Sequence, residues 1–364
     1  VTGKLVLENL KHRPMRTLLS NLLIGVPVTL ILTLVGLSHG MIDDSTRRAQ
    51  GVGADIVVRP PASSAISLTG APLDQRIVDG FFAKQPHVKL AVGVENQQVE
   101  SVFLGLAGVD LAKFSEMSGG LTYLEGGPFR GPNDVVVDDY YASQRHLHAG
   151  DPVQLLNSPW RISGIFEGGK LAHIIVPLAT LQEKTASTGK ISLVYLKLDN
   201  RSYIPEVMQA LKKQLPDYPI YSMEELTALY SVNNIPLLSG FIGVITGVGV
   251  IIGFLVVSLS MYMAVLQRTR EIGILKSLGA SNGFILRIIW IEALALGIGG
   301  TLLGIAMSFG AWGLIGAFVP IPMEIVTGWW PIAGIITLAG ASLGSLYPGL
   351  RAARHDPIEA LAYE

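Results

Sequence analysis

The stretch Arg268-Thr-Arg-Glu-Ile-Gly-Ile-Leu-Lys-Ser-Leu-Gly-Ala-Ser281 decides how this chain is read. It is short, charged and helix-prone, and it separates two long apolar runs. The run before it carries no Asp, Glu, Lys or Arg from Leu226 to Gln267, and the run after it is uncharged from Ala293 to Met323. About 20 apolar residues cross a bilayer core, so both runs read as membrane spans. A connector between spans needs only turn chemistry. This one interleaves Ile272, Leu275 and Leu278 with Glu271 and Lys276, which gives a small amphipathic helix closed by Gly279. On a membrane surface such a helix offers an apolar ridge to another protein. The competing reading is a basic amphipathic segment that only rests in the headgroups.

Two more apolar stretches complete a pattern of four spans. The expected order is a segment at 1–16, span one at 17–42, a large polar domain at 43–230, and a stalk with span two at 231–267. The connector at 268–289, span three at 290–319, a loop at 320–328, span four at 329–350 and a tail at 351–364 follow. Lys4, Lys11, Arg13 and Arg16 precede span one, Arg268, Arg270, Lys276 and Arg287 lie between spans two and three, and Arg351 and Arg354 follow span four. The Val319–Gly328 connection has no Lys or Arg. The positive-inside rule therefore puts both termini and the connector helix in the cytoplasm and the 43–230 domain outside the cell membrane. The first apolar stretch is too long for a cleaved signal peptide and no A-x-A-like site follows, so it reads as an anchor.

Composition agrees with a mixed protein: 364 residues, 49% hydrophobic and only 15% charged. The net charge of −1 gives no pull toward nucleic acid. The absence of cysteine excludes disulfides, thiol nucleophiles and Cys-based zinc sites. The string Ser187-Thr-Gly-Lys-Ile-Ser192 lacks the upstream glycine of a phosphate-binding loop and has Ile191 where magnesium would need a hydroxyl. His146 and His148 read as exposed side chains near a turn rather than metal ligands. Asp43-Asp44, Asp138-Asp139 and Glu224-Glu225 are adjacent pairs that point apart, so they are no acid/base couple. No catalytic, cofactor-binding or metal-binding residue is expected in this chain. Glu292, just inside span three, reads as a helix-end or interfacial carboxylate.

Within 43–230, runs at Ala54–Val58, Val88–Val94, Val99–Leu106, Asp134–Val137, Pro152–Leu156, Trp160–Phe166, His173–Val176 and Ile191–Leu198 read as strands. Helical patterns fall at Leu73–Lys84, Tyr140–Gln144, Leu178–Thr185, Pro205–Leu215 and Met223–Tyr230, the last as part of a stalk into span two. The expected fold is four transmembrane α-helices plus one α+β extracytoplasmic domain inserted between helices 1 and 2. Glycines recur four apart at Gly243/Gly247, Gly249/Gly253, Gly300/Gly304 and Gly340/Gly344, a spacing that lets helix backbones approach closely.

The ungapped run from Arg270 to Ala280 resembles the loop between the second and third spans of MacB/FtsX-like ABC transporter permeases. So do Leu7-Glu-Asn-Leu10 with Arg16-Thr-Leu-Leu19, Asp134-Val-Val-Val-Asp138, Gly150-Asp-Pro-Val153 and Ile162-Ser-Gly-Ile165. The tail Pro348…Arg351-Ala-Ala-Arg354…Asp356-Pro-Ile-Glu-Ala-Leu361 is similar as well. The resemblance implies a permease subunit whose coupling helix, at Arg270, Glu271, Gly273, Leu275, Lys276, Leu278 and Gly279, docks an ABC ATPase subunit that supplies ATP and magnesium. It implies a homodimer, with Gly243, Gly247, Gly249 and Gly253 in helix packing or at the dimer contact, and leaves a membrane-fusion adaptor open as a further partner. The implied activity is export of a hydrophobic or lipid-like substrate, drug or peptide. The alternative is an FtsX-like mechanical signalling subunit that regulates a cell-wall hydrolase.

Overall fold

Long uncharged runs can satisfy their backbone polar groups only within themselves, which favours helix. The computed structural model describes residues 14–61, 63, 72–99, 105–230, 236–267, 269–318 and 322–354. Among the described residues, four helices are long and apolar enough to cross a membrane. The basic residues at 4–13, Arg268 and the tail motif at 356–361 lie outside the described residues. The chain divides into two compact units, one built from 1–39, 236–315 and 323–364, the other from 40–235 with 316–322.

In chain order the helices are α1 (Pro14–Gly51), α2 (Arg76–Gly80), α3 (Leu111–Ser118), α4 (Asp139–Arg145), α5 (Leu178–Lys184) and α6 (Ile204–Gln214). They continue as α7 (Met223–Leu229), α8 (Pro236–Gln267), α9 (Thr269–Ser277), α10 (Asn282–Phe318) and α11 (Trp329–Arg354). The strands are β1 (Ile56–Val58), β2 (Leu73–Asp74), β3 (Val88–Gln98), β4 (Gly105–Val109), β5 (Tyr123–Gly126) and β6 (Asp134–Asp138). After them come β7 (Pro152–Leu155), β8 (Ser158–Phe166), β9 (Ile174–Pro177), β10 (Lys190–Ile191), β11 (Leu193–Leu198) and β12 (Ile220–Ser222).

The second unit is a ten-stranded mixed sheet in the order β12-β1-β11-β3-β4-β9-β6-β8-β5, with β7 also on β8. The β4–β9 and β6–β8 pairs are parallel and the other pairings in this sheet are antiparallel. Side chains alternate between faces along a strand, and here both faces are covered. Val57, Val92, Val94 and Val136 pack with Phe114 and Met117 of α3 and Leu226 of α7. Their neighbours Ile56, Val58 and Ala91 face the other way, onto Val207, Met208 and Leu211 of α6. Leu106, Val135, Val137 and Ile174 enclose Tyr141 of α4 and Leu181 of α5. Double coverage is why β1, β4 and β6 are buried at every position instead of alternating.

Several elements differ from the sequence reading, among them the unexpected strands β5 and β12. The helix expected at Leu73–Lys84 is broken, because Leu73 is buried and pairs with Ile191 as a strand and Asp74 Oδ1 accepts the Arg76 N–H at 2.9 Å. Helix α3 was missed. Asp110 caps it by accepting from the Ala112 and Lys113 amides, and Gly119 closes it at φ 77. The strand expected at Val99–Leu106 falls partly outside the described residues, and β4 begins at Gly105.

In the first unit, α1 and α10 meet almost backbone to backbone. A Cβ at Gly304 would lie 2.6 Å from Val28 and 2.8 Å from the Gly25 carbonyl oxygen. The Thr29 hydroxyl donates to the Gly304 carbonyl at 3.0 Å in the same seam. A second seam joins α8 and α11, where a Cβ at Gly344 would sit 2.7 Å from the Phe254 carbonyl oxygen. Around these seams Ile24, Val257, Met261, Ile285, Ile289, Ala293 and Ala341 form one cluster drawn from α1, α8, α10 and α11.

Candidate coupling surface

Helix α9 follows α8 after one residue. Thr269 ties the two together, its hydroxyl donating to the carbonyls of Val265 at 3.1 Å and Leu266 at 2.9 Å. The far end closes as the sequence requires. Gly279 takes φ 93, its amide donates to Lys276 O at 3.0 Å, and the Ala280 amide donates to Leu275 O at 3.0 Å. This pair of bonds is a Schellman stop, which satisfies carbonyls the helix end leaves open. Ser281 then caps α10 by accepting the Phe284 amide at 3.2 Å.

The faces of α9 differ from the expected ridge at Ile272, Leu275 and Leu278. Ile272 packs against the cluster of Val265, Ile285 and Ala352, Gly273 is buried, and Leu275 is partly buried. The exposed apolar residues are Ile274 at 45% and Leu278 at 80%. They are four apart, hence one above the other on a single face. The Ile-x-x-x-Leu spacing in the sequence carries that signal.

Lys276 also turns inward. Its ammonium donates to the Ala353 carbonyl at 2.8 Å, in the last turn of α11. A cation at a helix C-terminus meets open carbonyls and the negative end of the helix dipole. Nearby, the Arg351 guanidinium lies 5.5 Å over the Tyr262 ring of α8. So α9 is fixed to α11, which is itself fixed to α8. Arg270 and Glu271 stand in the first turn of α9, and their side chains lie outside the described residues.

The glycine pairs separate. Gly300/Gly304 and Gly340/Gly344 serve packing within the chain, and Gly249 does too, since a Cβ there would lie 3.3 Å from Ile31 and Pro27 of α1. Nothing lies within 4 Å of a Cβ built at Gly243, Gly247 or Gly253. Glu292 is 5% exposed, inside the helical unit and not at a solvated helix end as expected. His146 is the left-handed cap of α4, whereas His148 lies 3.3 Å from Glu125, so the two rings do not converge.

Comparison with known proteins follows this division. Residues 17–214 match the model of the MacB-like periplasmic core domain, and residues 243–357 match that of the FtsX-like permease C-terminal region. An uncharacterized ABC transporter permease, YknZ of Bacillus subtilis, is 31% identical over 226 residues, covering 59% of this chain and 55% of that protein. The macrolide export ATP-binding/permease protein MacB of Sodalis glossinidius is 23% identical over 394 residues, covering 97% of this chain and 59% of that protein. MacB of Escherichia coli is also 23% identical over 394 residues, covering 99% of this chain and 60% of that protein. The chain thus spans little more than half the length of these relatives. With a core-domain match over more than half the chain, a permease match beyond it and four apolar helices flanking a mixed-sheet domain, this multi-pass membrane protein belongs to the MacB/FtsX-like family of ABC transporter permeases.

Proposed function

We infer that this permease is the membrane subunit of an ATP-driven exporter and that α9 is where a separate ABC ATPase subunit engages it. The observation that carries this reading is the exposed pair Ile274 and Leu278 on a helix otherwise anchored by Ile272, Gly273 and Lys276. An exposed apolar pair on a rigid mount suits a docking knob: the partner gains apolar burial, and the mount passes its movement to α8 and α11. The orientation that goes with this reading has both termini and α9 cytoplasmic and the sheet domain outside the cell membrane, following the Lys/Arg distribution. ATP and magnesium belong to the partner. Two copies of the permease assemble, with a hydrophobic or lipid-like molecule, drug or peptide as cargo and an adaptor protein as a further partner. Mechanical signalling to a cell-wall hydrolase uses the same anchored helix, and cargo-stimulated ATP turnover separates the two.

The test is co-purification and ATP turnover of the complex carrying Ile274→Ala with Leu278→Ala. Loss of co-purification, or a fall in turnover of about tenfold, which corresponds to about 1.4 kcal/mol of coupling, is expected. Parent-like binding and turnover would reduce α9 to a topological connector.

A further inference from the structure

Helix α1 is apolar through its middle and ends in charge: Asp43, Asp44, Arg47 and Arg48. One of its two i,i+4 pairs is solvated, Arg47 Nε standing 3.1 Å from Asp43 with both side chains more than half exposed. The other faces inward. Arg48 Nη2 lies 2.7 Å from Asp44 Oδ2, each side chain 14% exposed. Asp44 in turn lies 3.4 Å from His173 Nε2, and the Nδ1 of the same ring lies 2.6 Å from Asp138 Oδ2. His173 is 2% exposed and stands immediately before β9. Asp138 ends β6 and caps α4, its other oxygen accepting the Tyr141 amide at 2.8 Å. The backbone follows the same path, with the Leu171 amide donating to Arg48 O at 3.1 Å and the Asp138 amide to His173 O at 2.9 Å.

A ring with a carboxylate at each nitrogen is satisfied only as the imidazolium, which donates from both. Neutral imidazole must aim a lone pair at one carboxylate. With His173 charged, Asp44, Asp138, His173 and Arg48 cancel, and buried charge is tolerated when it is paired in this way. Without that proton a net negative charge stays buried.

We propose that protonated His173 is the positioning residue of a latch that holds the charged end of α1 to the interior strands β6 and β9, and that the latch opens as the surrounding pH rises. The neighbouring groups do not compete for this role. Asp139 is engaged by the Tyr140 and Gly168 amides, Glu167 is exposed, and Lys170 donates to the carbonyls of Ser118 and Gly120. The Tyr140 ring sits 5.6 Å from the His173 ring, and burial together with Asp44 and Asp138 pushes its phenol up to about 12, so it stays neutral. Burial pulls the His173 pKa down, but its hydrogen bond to Asp138 and the Asp44 carboxylate 3.4 Å from Nε2 outweigh that and leave it raised. The use of the latch, delivering a displacement of α1 to the sheet, rests on the permease reading; its existence does not.

Amide hydrogen exchange of the full chain in lipid nanodiscs, corrected for intrinsic rates, tests it between pH 5.5 and 9. Residues 44–51 should be protected at the acid end and open as pH rises through the His173 titration. Each unit by which that pKa is raised is worth about tenfold in opening. His173→Gln should open the segment at every pH while β3 and β11 stay protected. Asp44→Asn, which leaves the sheet intact, should open it partly and flatten the pH dependence. Unchanged protection of 44–51 across this range in the parent, or the parent's pH dependence persisting in His173→Gln, overturns the latch. Because ATP turnover is not read, a failure of the exporter reading leaves this result standing.

Discussion

Helices α8 and α10 carry similar sequences and opposite surroundings. Both are long, uncharged over most of their length and marked by glycines four apart, yet 44% of the apolar window of α10 is buried within the chain and only 11% of that of α8. In α10 the four-apart pair Gly300 and Gly304 lies where another helix passes. In α8 most of the glycines face outward, together with Phe241, Val244, Val248, Ile251, Leu255 and Leu259. Spacing says that a helix can be approached closely; only the partner's position says whether it is. One glycine pattern therefore serves internal closure on α10 and an outward surface on α8.

The largest expected effect tests the closed side. Gly304→Leu places a branched side chain where a single Cβ already meets Val28 and the Gly25 carbonyl, and neither backbone can retreat without breaking the Thr29 hydrogen bond. Overpacking a tight core costs about 1–3 kcal/mol when side chains can shift, and more when backbone is the obstacle. Little folded protein should be recovered from the membrane. Normal yield and normal detergent melting would show that the α1–α10 seam is looser than these distances indicate.

Next in size is a control from the sheet domain, at a site packed by side chains rather than by glycine. Phe114 of α3 is fully buried between Met117 and the strand face. Phe114→Ala should remove about 3–5 kcal/mol from the domain, read as a lowered melting transition, while leaving the helical unit inserted. Equal losses in both units would mean that the two do not fold separately and that the α8/α10 contrast cannot be examined one helix at a time.

How much of this was legible follows physical lines. The four helices were, because uncharged length is a one-dimensional property. The stop at Gly279 was too, because a left-handed residue after a helix is a local need. Strands such as β6 and β8 read correctly from apolar, β-branched runs. Helix α3 was hidden because its start and stop lie in side-chain caps at Asp110 and Gly119 rather than in a long apolar period. The inward turn of Lys276 and the burial of Glu292 depend on what other helices supply, which no local pattern encodes. The same holds for His173: its partners are Asp44 and Asp138, distant in sequence, and in the sequence each belongs only to an adjacent carboxylate pair that points apart.

A pH effect of intermediate size sets the ionic groups of the sheet domain against the apolar seams. Burial would raise the Asp134 pKa, but the amides of Arg130 and Gly131 and the Arg161 guanidinium outweigh it and hold it below the usual carboxylate range. A lowered carboxylate stabilises the fold above its unfolded value, and that contribution disappears as pH falls through the folded one. His173 has the opposite sign, contributing fully below about 6.5 and losing its contribution as pH rises through its raised folded value. The sheet domain should therefore melt lower at both extremes, with Asp134→Asn flattening the acid side and His173→Gln the other. The α1–α10 seam itself, where Gly25, Val28 and Thr29 meet Gly304, is made of uncharged residues and should open independently of pH, as followed by exchange of the amides at 24–32 and 300–308.

The smallest expected effect on the single chain, and the sharpest for the comparison, is at Gly247. Nothing stands within 4 Å of a Cβ there, so Gly247→Leu meets no obstacle inside the chain and removes a helix-weakening glycine. The monomer should insert and melt like the parent. If the outward face of α8 receives a second copy, however, the leucine separates two backbones that small residues had allowed to touch, and dispersion falls steeply with such a gap. The dimer dissociation constant in nanodisc or detergent titration should then rise about tenfold, equivalent to about 1.4 kcal/mol. Gly249→Leu supplies the internal reference, because it collides with Ile31 and Pro27 and should disturb the monomer itself. A Gly247→Leu chain that dimerises like the parent would assign the open face of α8 to lipid and place the subunit contact elsewhere.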